Sequence, residues 1–283
     1  MRNFDSIIVI TKPNADIGTQ MVADSIFEYG EKRGIIVSQP SPRSMRSLAD
    51  DAILIISVGG DGTMLGAMRT SLKYKNSSVL GINTGTLGFL SEEVPSNIDS
   101  YIDDILFNGH MKTEERMLLQ ASIRVDGEDF EDLIAINEFV FTTPSIKAPV
   151  TTQVYINDQF VNKQLGNGVL VATATGSTAM SLSAGGVIVS PSTNIMQVVP
   201  ILAHTLTARP IITAGSDVVS ISTQFTDRVP EIEIQADGQV LCSIDNTSGN
   251  DVEIAITKHP KTITVWRPED WNFFNVLTGK MKW

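Results

Sequence analysis

The first part of the chain alternates apolar runs with amphipathic stretches. Three of the runs are mostly aliphatic, as is typical of strands buried on both faces: 6–10, 53–57 and 79–83. Apolar residues recur at helical spacing over 15–34, where Gly34 is a stop signal, and a second helix is predicted near 64–74. This order of strands and helices predicts a parallel sheet covered by helices on both faces.

From about residue 116 onward the pattern changes to a period of two. Apolar and polar residues alternate in five segments, which predicts mainly antiparallel strands: 118–125, 151–157, 218–224, 231–236 and 252–257. Three dipeptides are typical of tight hairpin turns: Asp126-Gly127, Asn157-Asp158 and Asp237-Gly238. The sequence therefore predicts an α/β, Rossmann-like domain with a parallel sheet over 1–115 and a mainly antiparallel, β-rich domain over 116–260. The tail 261–283 predicts a last strand and a helix.

The composition suits a protein with a large buried core. The chain has 283 residues, of which 42% are hydrophobic, enough for one large domain or two ordinary ones. No run of about 18 apolar residues occurs, as a membrane-spanning helix would need. The apolar run near the N-terminus is too short for the core of a signal peptide. We therefore expect a cytoplasmic protein.

Charge and metal-binding residues exclude several classes of protein. The formal net charge of −11 at pH 7 disfavours nucleic-acid and anionic-membrane partners. Cys242 is the only cysteine and the three histidines lie far apart in sequence, so neither an internal disulfide nor a structural zinc site is predicted. If the substrate is a nucleotide, backbone N–H groups, metal ions or a local basic cluster must attract it.

One short turn combines three glycines with a carboxylate. The apolar run 53–57 is followed by Gly59, Gly60, Asp61, Gly62 and Thr63. Glycines let the backbone approach a ligand closely, and N–H groups at a helix start attract anions, so the turn suits a phosphate. It matches neither G-x-x-x-x-G-K-[ST] nor G-x-G-x-x-G, the two common nucleotide-binding motifs.

Asp61 is the unusual residue of this turn, because a carboxylate beside phosphate groups is repulsive. It could accept a proton from an attacking hydroxyl, or it could hold a magnesium ion through water. Alternatively, Asp61 is an ordinary turn residue or helix cap, with Thr63 as the other candidate for the cap. The residues alone leave these interpretations open.

A second cluster, over 168–186, again places a turn of small polar residues between a strand pattern and a helix pattern. Thr175, Ser177 and Thr178 bring hydroxyl and N–H groups to the predicted helix start, where they suit ribose, phosphate or adenine edges. The alternative is a capped helix in which small residues pack closely. The residues do not decide between the two.

Asn137 and Glu138 interrupt an apolar stretch, between 133–136 and 139–141. If this pair is buried, its polar groups need hydrogen-bond partners, and ribose hydroxyls are suitable ones. The alternative is a strand edge with both side chains in solvent.

Together these residues resemble the NAD kinase family. The matching segments run in order along most of the chain: 59-GGDGT-63, 81-GINTGTLGFL-90, Glu115-Arg116, 137-NE-138, 175-TGSTA-179, 181-SLSAGG-186, 204-HTL-206, 209-RP-210, 237-DG-238 and the tail from Phe273-Phe274 to Lys280 and Trp283. The glycine–aspartate turn alone is shared with diacylglycerol-type lipid kinases and, more loosely, with phosphofructokinases. The segments 137-NE-138, 175-TGSTA-179 and 181-SLSAGG-186 are much more specific to NAD kinases. The resemblance implies that the tail 261–283 completes the first domain.

The resemblance also implies an activity. It is the transfer of the γ-phosphoryl group of ATP to the 2′-hydroxyl of the adenosine ribose of NAD, which makes NADP, with Mg²⁺ or another divalent cation. Asp61 would be the base toward that hydroxyl. The surrounding residues would lie at the phosphates: Gly59, Gly60, Gly62 and Thr63. Family members form dimers and tetramers, so we expect a homodimer or a homotetramer.

The remaining binding residues implied by the resemblance lie in the second domain. They would contact the adenosine part of the substrate, with Ser183 behind Thr178 and Ala179: Asn137, Glu138, Thr175, Ser177, Thr178, Ala179, Ser183 and Asp237. Asp237 would approach from a hairpin turn, either within one subunit or across a subunit interface.

Three positions depart from the family pattern. Asn167 stands where the family usually has aspartate, Ala174 where it has proline, and Met180 where it has tyrosine. Asn167 and Met180 are still expected at the substrate. A tyrosine would stack on a base, and losing such a contact costs on the order of 1–3 kcal/mol. Three functions therefore stay open: an active NAD kinase, a retuned or non-catalytic dinucleotide-binding protein, and a lipid kinase, which the acidic charge disfavours.

Overall fold

The structure is a computed structural model, and it describes residues 3–41, 48, 51–125, 128–205, 207–224, 229, 231–245 and 251–283. The strands are β1 Ser6–Thr11, β2 Ile36–Ser38, β3 Ala52–Val58, β4 Asn76–Asn83, β5 Glu92–Glu93, β6 Met111–Val125, β7 Glu128–Ala135, β8 Glu138–Thr142, β9 Val150–Ile156, β10 Gln159–Gly166, β11 Gly168–Thr173, β12 Ile195–Ile201, β13 Ile211–Ala214, β14 Val219–Gln224, β15 Glu231–Ala236, β16 Gln239–Asp245 and β17 Asp251–Pro268. The α-helices are α1 Ile17–Arg33, α2 Asp61–Ser71, α3 Ile98–Asp103, α4 Met180–Ser183 and α5 Phe273–Met281. A π-helical turn, Asp104–Asn108, continues α3, and a 3₁₀ turn, Thr175–Thr178, precedes α4.

The chain divides into two units. The first is Met1–Glu115 together with Ile263–Trp283, and the second is Arg116–Thr262. Within the first unit a parallel sheet has the strand order β4-β3-β1-β2, and β17 adds to its β4 edge with Thr264 opposite Ser78. The chain's last strand and α5 therefore belong to the same unit as its first strand.

Helices cover this parallel sheet because its strands are aliphatic on both faces. From α1, Ala23, Ile26 and Tyr29 enter one core with Ile7 and Leu54 of the sheet. The other helix of the β-α-β-α-β order, α2, packs against β3 and β4 and buries residues of its own. The continuous apolar runs of the sequence thus correspond to strands enclosed between helices.

Local chemistry sets the ends of the two helices. At the start of α1, the Asp16 side chain accepts a hydrogen bond from the Thr19 N–H at 2.8 Å, and at its end Gly34 adopts the left-handed conformation with φ of 62°. Helix α2 begins at Asp61, earlier than the predicted 64–74, because Gly60 takes the cap position with an extended backbone and accepts from the Thr63 N–H. The turn and the helix are therefore continuous.

The second unit is mainly antiparallel. One sheet has the order β13-β12-β11-β8-β15-β16, and in the other β14 lies between β9 and the first part of β17, with β10 at the edge. Alternate residues of both sheets fill one core, among them Phe139, Phe141, Val169, Val171, Val219, Ile221, Ile234 and Ile254. The period-two pattern of the sequence reflects this alternation.

Two predicted hairpin turns are present. Asn157 and Asp158 have φ of 50° and 63°, and Asp237 and Gly238 have φ of 49° and 76°, the double positive φ of type I′ turns. The third predicted turn, Asp126-Gly127, lies outside the described residues. One boundary differs from prediction. The segment 252–257 and the strand at the start of the tail form one continuous strand, β17.

The predicted fold class is confirmed: α/β with parallel strands in the first unit and mainly antiparallel β in the second. Within the described part of the chain, none of the helices has the length and apolar character needed to span a membrane.

Candidate active site

Gly59 joins β3 to the start of α2 and has a backbone that only glycine accepts readily. Its φ is 152°, and a β-carbon there would lie 2.5 Å from the Thr63 hydroxyl oxygen. Its N–H donates to the carbonyl oxygen of Ile82 at 2.9 Å, which ties the turn to the end of β4. The turn is therefore fixed in place by the sheet.

Gly60 and Gly62 leave open space at the start of α2. Apart from the glycine itself, its chain neighbours and the backbone of α2, no atom of the described residues lies within 4 Å of the place where a β-carbon would stand on either glycine. The first N–H groups of a helix have no partner within the helix and carry its positive end. No side chain in the described ranges caps this helix start. The arrangement suits an anion such as a phosphate group.

Asp61 is the first residue of α2, and a second loop holds its carboxylate. Oδ2 accepts from the Phe89 N–H at 2.9 Å and Oδ1 accepts from the Leu90 N–H at 3.0 Å. Gly88 lies so close that a β-carbon there would be 2.0 Å from Oδ1. The side chain is half-buried. Hydrogen bonds to both oxygens thus fix the orientation of the carboxylate. The helix cap is Gly60 and not Asp61.

In the second unit, Asp237 organises the start of β8. Its carboxylate accepts from the N–H groups of Ile136, Asn137 and Glu138, the shortest of these being 2.6 Å to Asn137. Its own N–H donates to the carbonyl oxygen of Glu138 at 3.0 Å. The Asp-Gly turn is therefore both a hairpin turn and an anchor for the neighbouring strand of the same chain.

The 3₁₀ turn after β11 lies against the same backbone. A β-carbon on Gly176 would lie 2.1 Å from the carbonyl oxygen of Asn137, so only glycine fits there. Thr173 joins the two segments: its hydroxyl donates to the carbonyl oxygen of Ile136 at 2.8 Å and accepts from the Gly176 N–H at 3.0 Å. The structure thus brings Asn137, Glu138 and Asp237 together with this turn.

Glu138 is a buried carboxyl with one oxygen left over. It is 3% exposed, so the alternative of a solvated strand edge is wrong for this residue. Burial, followed by the nearby charge of Asp237, raises its pKa to about 8, although the Met180 N–H acts in the opposite direction. Its Oε2 has no hydrogen-bond partner among the described residues. A buried acceptor or donor without a partner is costly, so this oxygen is suited to a ligand hydroxyl.

The hydroxyl groups of the turn have different environments. Thr175 is buried, and its Oγ1 has no hydrogen-bond partner in the described part of the chain. The Ser177 hydroxyl is used in the fold, since it bonds to both backbone groups of Val189, and Thr178 donates weakly to the Thr175 carbonyl oxygen at 3.4 Å. The helix predicted after this turn is shorter than expected: α4 has only four residues.

A cavity of about 710 Å³ opens next to α4. Met180 and Ser183 line it, together with 200–203, Thr205 and 208–210. Met180 is 40% exposed. Ala179 is half-buried beside it. The cavity is the right size for part of a nucleotide.

The Asn167 side chain is bound to the segment after β8 and not to the turn at 175–178. Its side-chain amide is buried and donates to the carbonyl oxygen of Ser145 at 3.2 Å and, at 3.5 Å, to the Thr143 hydroxyl. Its backbone carbonyl accepts from the Thr143 N–H at 3.1 Å and from the Thr142 hydroxyl. The side chain therefore secures the chain that follows β8.

The protein groups do not form a metal cage within the described residues, because no three His, Cys, Asp or Glu side chains come together there. Mg²⁺ prefers several oxygen ligands and commonly takes them from water and substrate phosphates.

Sequence reasoning did not identify the groups that hold Asp61. The donors are the backbone N–H groups of Phe89 and Leu90, and a backbone group leaves no trace in residue type. Gly88 and the rest of 81-GINTGTLGFL-90 were the available signal, since a glycine-rich stretch after a buried strand indicates a close backbone approach.

Comparisons with known proteins identify the family. Models of the ATP-NAD kinase N-terminal domain and the ATP-NAD kinase C-terminal domain match residues 16–111 and 136–265. The chain is 36% identical to the NAD kinase of Mannheimia succiniciproducens over 293 aligned residues, which cover 99% of this chain and 94% of that protein. It is 37% identical to the NAD kinase of Tolumonas auensis over 236 residues, covering 83% and 78%.

Solved structures share the fold. The yeast NADH kinase complexed with NADH superposes with a TM-score of 0.86 at 19% identity, covering 99% of this chain and 88% of that chain. An NAD kinase from Archaeoglobus fulgidus in complex with ATP gives a TM-score of 0.73 at 23% identity, covering 98% of both. Since both domain models match, and relatives share more than a third of their aligned residues along nearly the whole chain, the chain belongs to the NAD kinase family.

Proposed function

We propose that this kinase transfers the γ-phosphoryl group of ATP to the 2′-hydroxyl of the adenosine ribose of NAD and so produces NADP. The observation that carries the proposal is the Asp61 carboxylate. It stands at the start of α2 beside two open glycines and is held by the N–H groups of Phe89 and Leu90. Such a carboxylate is fixed in direction and next to a place suited to phosphate.

The proposed step has one proton to move. The 2′-hydroxyl oxygen forms the new bond to the γ-phosphorus, the bond from that phosphorus to the ADP oxygen breaks, and Asp61 accepts the hydroxyl proton. Phosphoryl transfer needs little covalent help from the protein, so positioning and charge neutralisation dominate. Gly59, Gly60, Gly62 and Thr63 would supply close backbone approach to the phosphates.

The divalent cation would arrive with ATP. When bound, it would neutralise part of the phosphate charge. The described residues offer no cluster of three ligands, which supports a cation held mainly by the substrate and water. Removing it with a chelator should stop the reaction, and adding excess Mg²⁺ should restore it.

The residues of the second unit would hold the adenosine part of NAD. The free Oε2 of Glu138 and the free Oγ1 of Thr175 are buried and suited to ribose hydroxyls or an adenine edge. Asn137 offers a half-buried amide next to them. Met180 and Ser183 line the cavity, and Thr178 and Ala179 would contact the adenine edge. Ser177 and Asp237 support this region through the bonds described above.

One observation favours retuned binding as a second candidate. Met180 lines the cavity and is 40% exposed, so it would meet a ligand there with a flexible thioether instead of an aromatic ring. Asn167 does not add to this candidate, because its side chain is used within the fold. Weakened or altered nucleotide binding is therefore tied to Met180, while Asp61 is unaffected.

An enzymatic assay tests the proposal. The protein would be incubated with NAD, ATP and Mg²⁺, and NADP would be read through an NADP-specific dehydrogenase. Steady NADP production that is lost in Asp61→Asn is the expected result. An absence of NADP in the unaltered protein would rule out the proposed reaction, and tight NAD binding by calorimetry would then favour a binding protein.

We also propose that the protein is a homodimer or a homotetramer. Strand β16 lies at the edge of a sheet and exposes Val240 and Leu241. An apolar edge strand is prone to pair with another chain or to be covered by one. Light scattering behind size-exclusion chromatography tests this proposal, and a monomer at micromolar concentration would contradict it.

A further inference from the structure

Arg267, near the end of β17, is a completely buried cation in the first unit. Its Nη1 donates to the carbonyl oxygen of Leu90 at 3.1 Å and to Glu92 Oε1 at 2.5 Å. Its Nε lies 3.6 Å from Glu114, and its guanidinium stacks over the Trp271 ring, 4.5 Å from the centroid. A hydrogen-bonded carboxylate, a second carboxylate at ion-pair distance and an aromatic ring thus orient the guanidinium, whose Nε and Nη2 have no hydrogen-bond partner among the described residues.

Leu90 links this cation to the site. Its carbonyl oxygen accepts from Arg267, and its N–H donates to Asp61 Oδ1 at 3.0 Å. The adjacent N–H, on Phe89, donates to the other oxygen of the same carboxylate. A single buried residue is therefore held on one side by Arg267 and itself holds Asp61 on the other.

Lys280, on α5, contacts the same loop from another point. Its Nζ donates to the carbonyl oxygen of Leu87 at 2.5 Å and lies 5.9 Å from the centre of the Phe89 ring. This lysine is exposed, so its contacts are weaker than those of the buried arginine. Both cations come from the segment that ends the chain, and both bind the loop around 87–90.

We propose that Arg267 is a positioning residue for phosphoryl transfer, with Lys280 as a weaker second one. The arginine fixes the loop whose N–H groups direct the Asp61 carboxylate toward the hydroxyl that it deprotonates. The inference rests on the proposed function, in which Asp61 is the base. A displacement of about 1 Å at a reacting group can lower a rate by roughly 10²-fold, so a residue that never touches substrate can still control the rate.

Arg267→Lys tests the inference, because lysine keeps the charge but loses the planar fork. We expect kcat to fall by roughly 10²-fold, with the KM values for ATP and NAD unchanged. The matched control is Arg33→Lys, since Arg33 also pairs with a carboxylate, Asp103, in the same unit. The control should keep the kcat of the unaltered protein. An unchanged kcat in Arg267→Lys would overturn the inference.

Coupling to Asp61 separates positioning from general support of the fold. If Arg267 acts through Asp61, the double variant Asp61→Asn/Arg267→Lys should have the residual kcat of Asp61→Asn alone. A further loss equal to that of the single Arg267 variant would show that the two residues act independently. That result would overturn the inference as well.

Hydrogen exchange tests the positioning role without relying on enzymatic activity. In Arg267→Lys, the amides of Phe89 and Leu90 should exchange faster than in the unaltered protein, while those of β1 stay protected. Unchanged exchange at both amides would contradict the positioning role. This readout also stands if the protein makes no NADP, an outcome that refutes the proposed reaction only. If Arg267→Lys fails to fold, Lys280→Met serves in its place, with a smaller loss of kcat and faster exchange of the same two amides.

Discussion

Gly60 and Gly62 stand in open space at the start of α2, whereas Gly176 in the second unit lies against another part of the backbone. Beyond the local backbone of α2, no described atom comes within 4 Å of a β-carbon placed on either of the first two, but one on Gly176 would lie 2.1 Å from the carbonyl oxygen of Asn137. The two segments look alike in sequence, since each follows a buried strand with small polar residues. One leaves room for a ligand at a helix start, and the other allows two chain segments to meet.

The carboxylates beside these glycines differ as well. Asp61 is half-buried and has both oxygens held by backbone N–H groups of one loop. Glu138 is almost completely buried, and one of its oxygens has no partner among the described residues. A carboxylate that is fixed and accessible suits proton transfer, whereas an enclosed one with a spare oxygen suits binding. This difference favours chemistry in the first unit and recognition in the second.

The largest effect that tests this division is expected from Asp61→Asn. Asparagine keeps the shape but cannot take up the proton, and its NH₂ group would face a backbone N–H of the loop. We expect kcat to fall by about 10²–10⁴-fold, with a smaller change in the KM for NAD. Steady-state kinetics measure both, and Asp16→Asn is the control because asparagine caps a helix as well as aspartate does. Normal turnover by Asp61→Asn would show that Asp61, in the first unit, is not the base of the reaction.

Glu138→Gln tests the enclosed carboxyl through stability. The folded-state pKa of Glu138 is raised to about 8, first by burial and then by Asp237, from an ordinary value of 4.5. Between these two pH values the folded protein binds more protons than the unfolded chain, so stability is lost as pH rises through this range. Glutamine does not titrate. The free energy of unfolding of the variant, relative to that of the unaltered protein, should therefore rise by on the order of a few kcal/mol between pH 5 and pH 8.5.

Urea unfolding at pH 5, 7 and 8.5 measures that difference. Glu253→Gln provides the control, because Glu253 is exposed on β17. A stability difference between Glu138→Gln and the unaltered protein that stays constant with pH would mean that the carboxyl is not enclosed as described. Glu138 and Asp61 would then no longer differ in how strongly burial affects their carboxyl groups.

Much of the fold was predictable from the sequence because it depends on local patterns. The aliphatic run 53–57 became β3, and the Asn157-Asp158 and Asp237-Gly238 pairs became turns, since strand burial and turn chemistry are encoded by neighbouring residues. The start of α2 was misplaced by a few residues, because a glycine cap gives little signal in a sequence.

The contacts of the candidate site were less predictable. Asp61 meets Phe89 and Leu90, which follow 28 and 29 positions later, and Asp237 binds N–H groups about a hundred positions earlier. Periodicity does not report such long-range contacts, and a backbone donor has no residue type of its own. The environment that raises the pKa of Glu138 has the same origin.

Met180→Tyr tests whether the second unit binds a nucleotide base at the wall of the cavity. A ring at this cavity wall would stack on a base, and such contacts contribute about 1–3 kcal/mol. We therefore expect the KM for NAD to fall by about tenfold, the equivalent of 1.4 kcal/mol, with kcat unchanged. Met180→Leu and Met21→Tyr are the controls, since the first lacks a ring and the second places one on an exposed helix position elsewhere. Equal KM values for all three variants would exclude a base at this wall.

Gly62→Ala and Gly66→Ala give the smallest expected effects and test the open space directly. Both glycines lie in α2, and beyond the local helix backbone no described atom comes within 4 Å of the place where a β-carbon would stand, so alanine fits at each. Each variant should gain about 0.5–1 kcal/mol of stability, because alanine favours the helix. Only Gly62 lies in the first turn, where a phosphate would approach the N–H groups, so only Gly62→Ala should raise the KM for ATP, severalfold.

Urea unfolding and ATP kinetics separate the two contributions. Equal gains in stability with a KM increase confined to Gly62→Ala would show that the space at the helix start receives the phosphate. If both variants keep the KM of the unaltered protein, that space does not receive it. The glycines of α2 would then differ from Gly176 only in what surrounds them, and the attraction for ATP would have to come from basic side chains instead of the backbone of this turn.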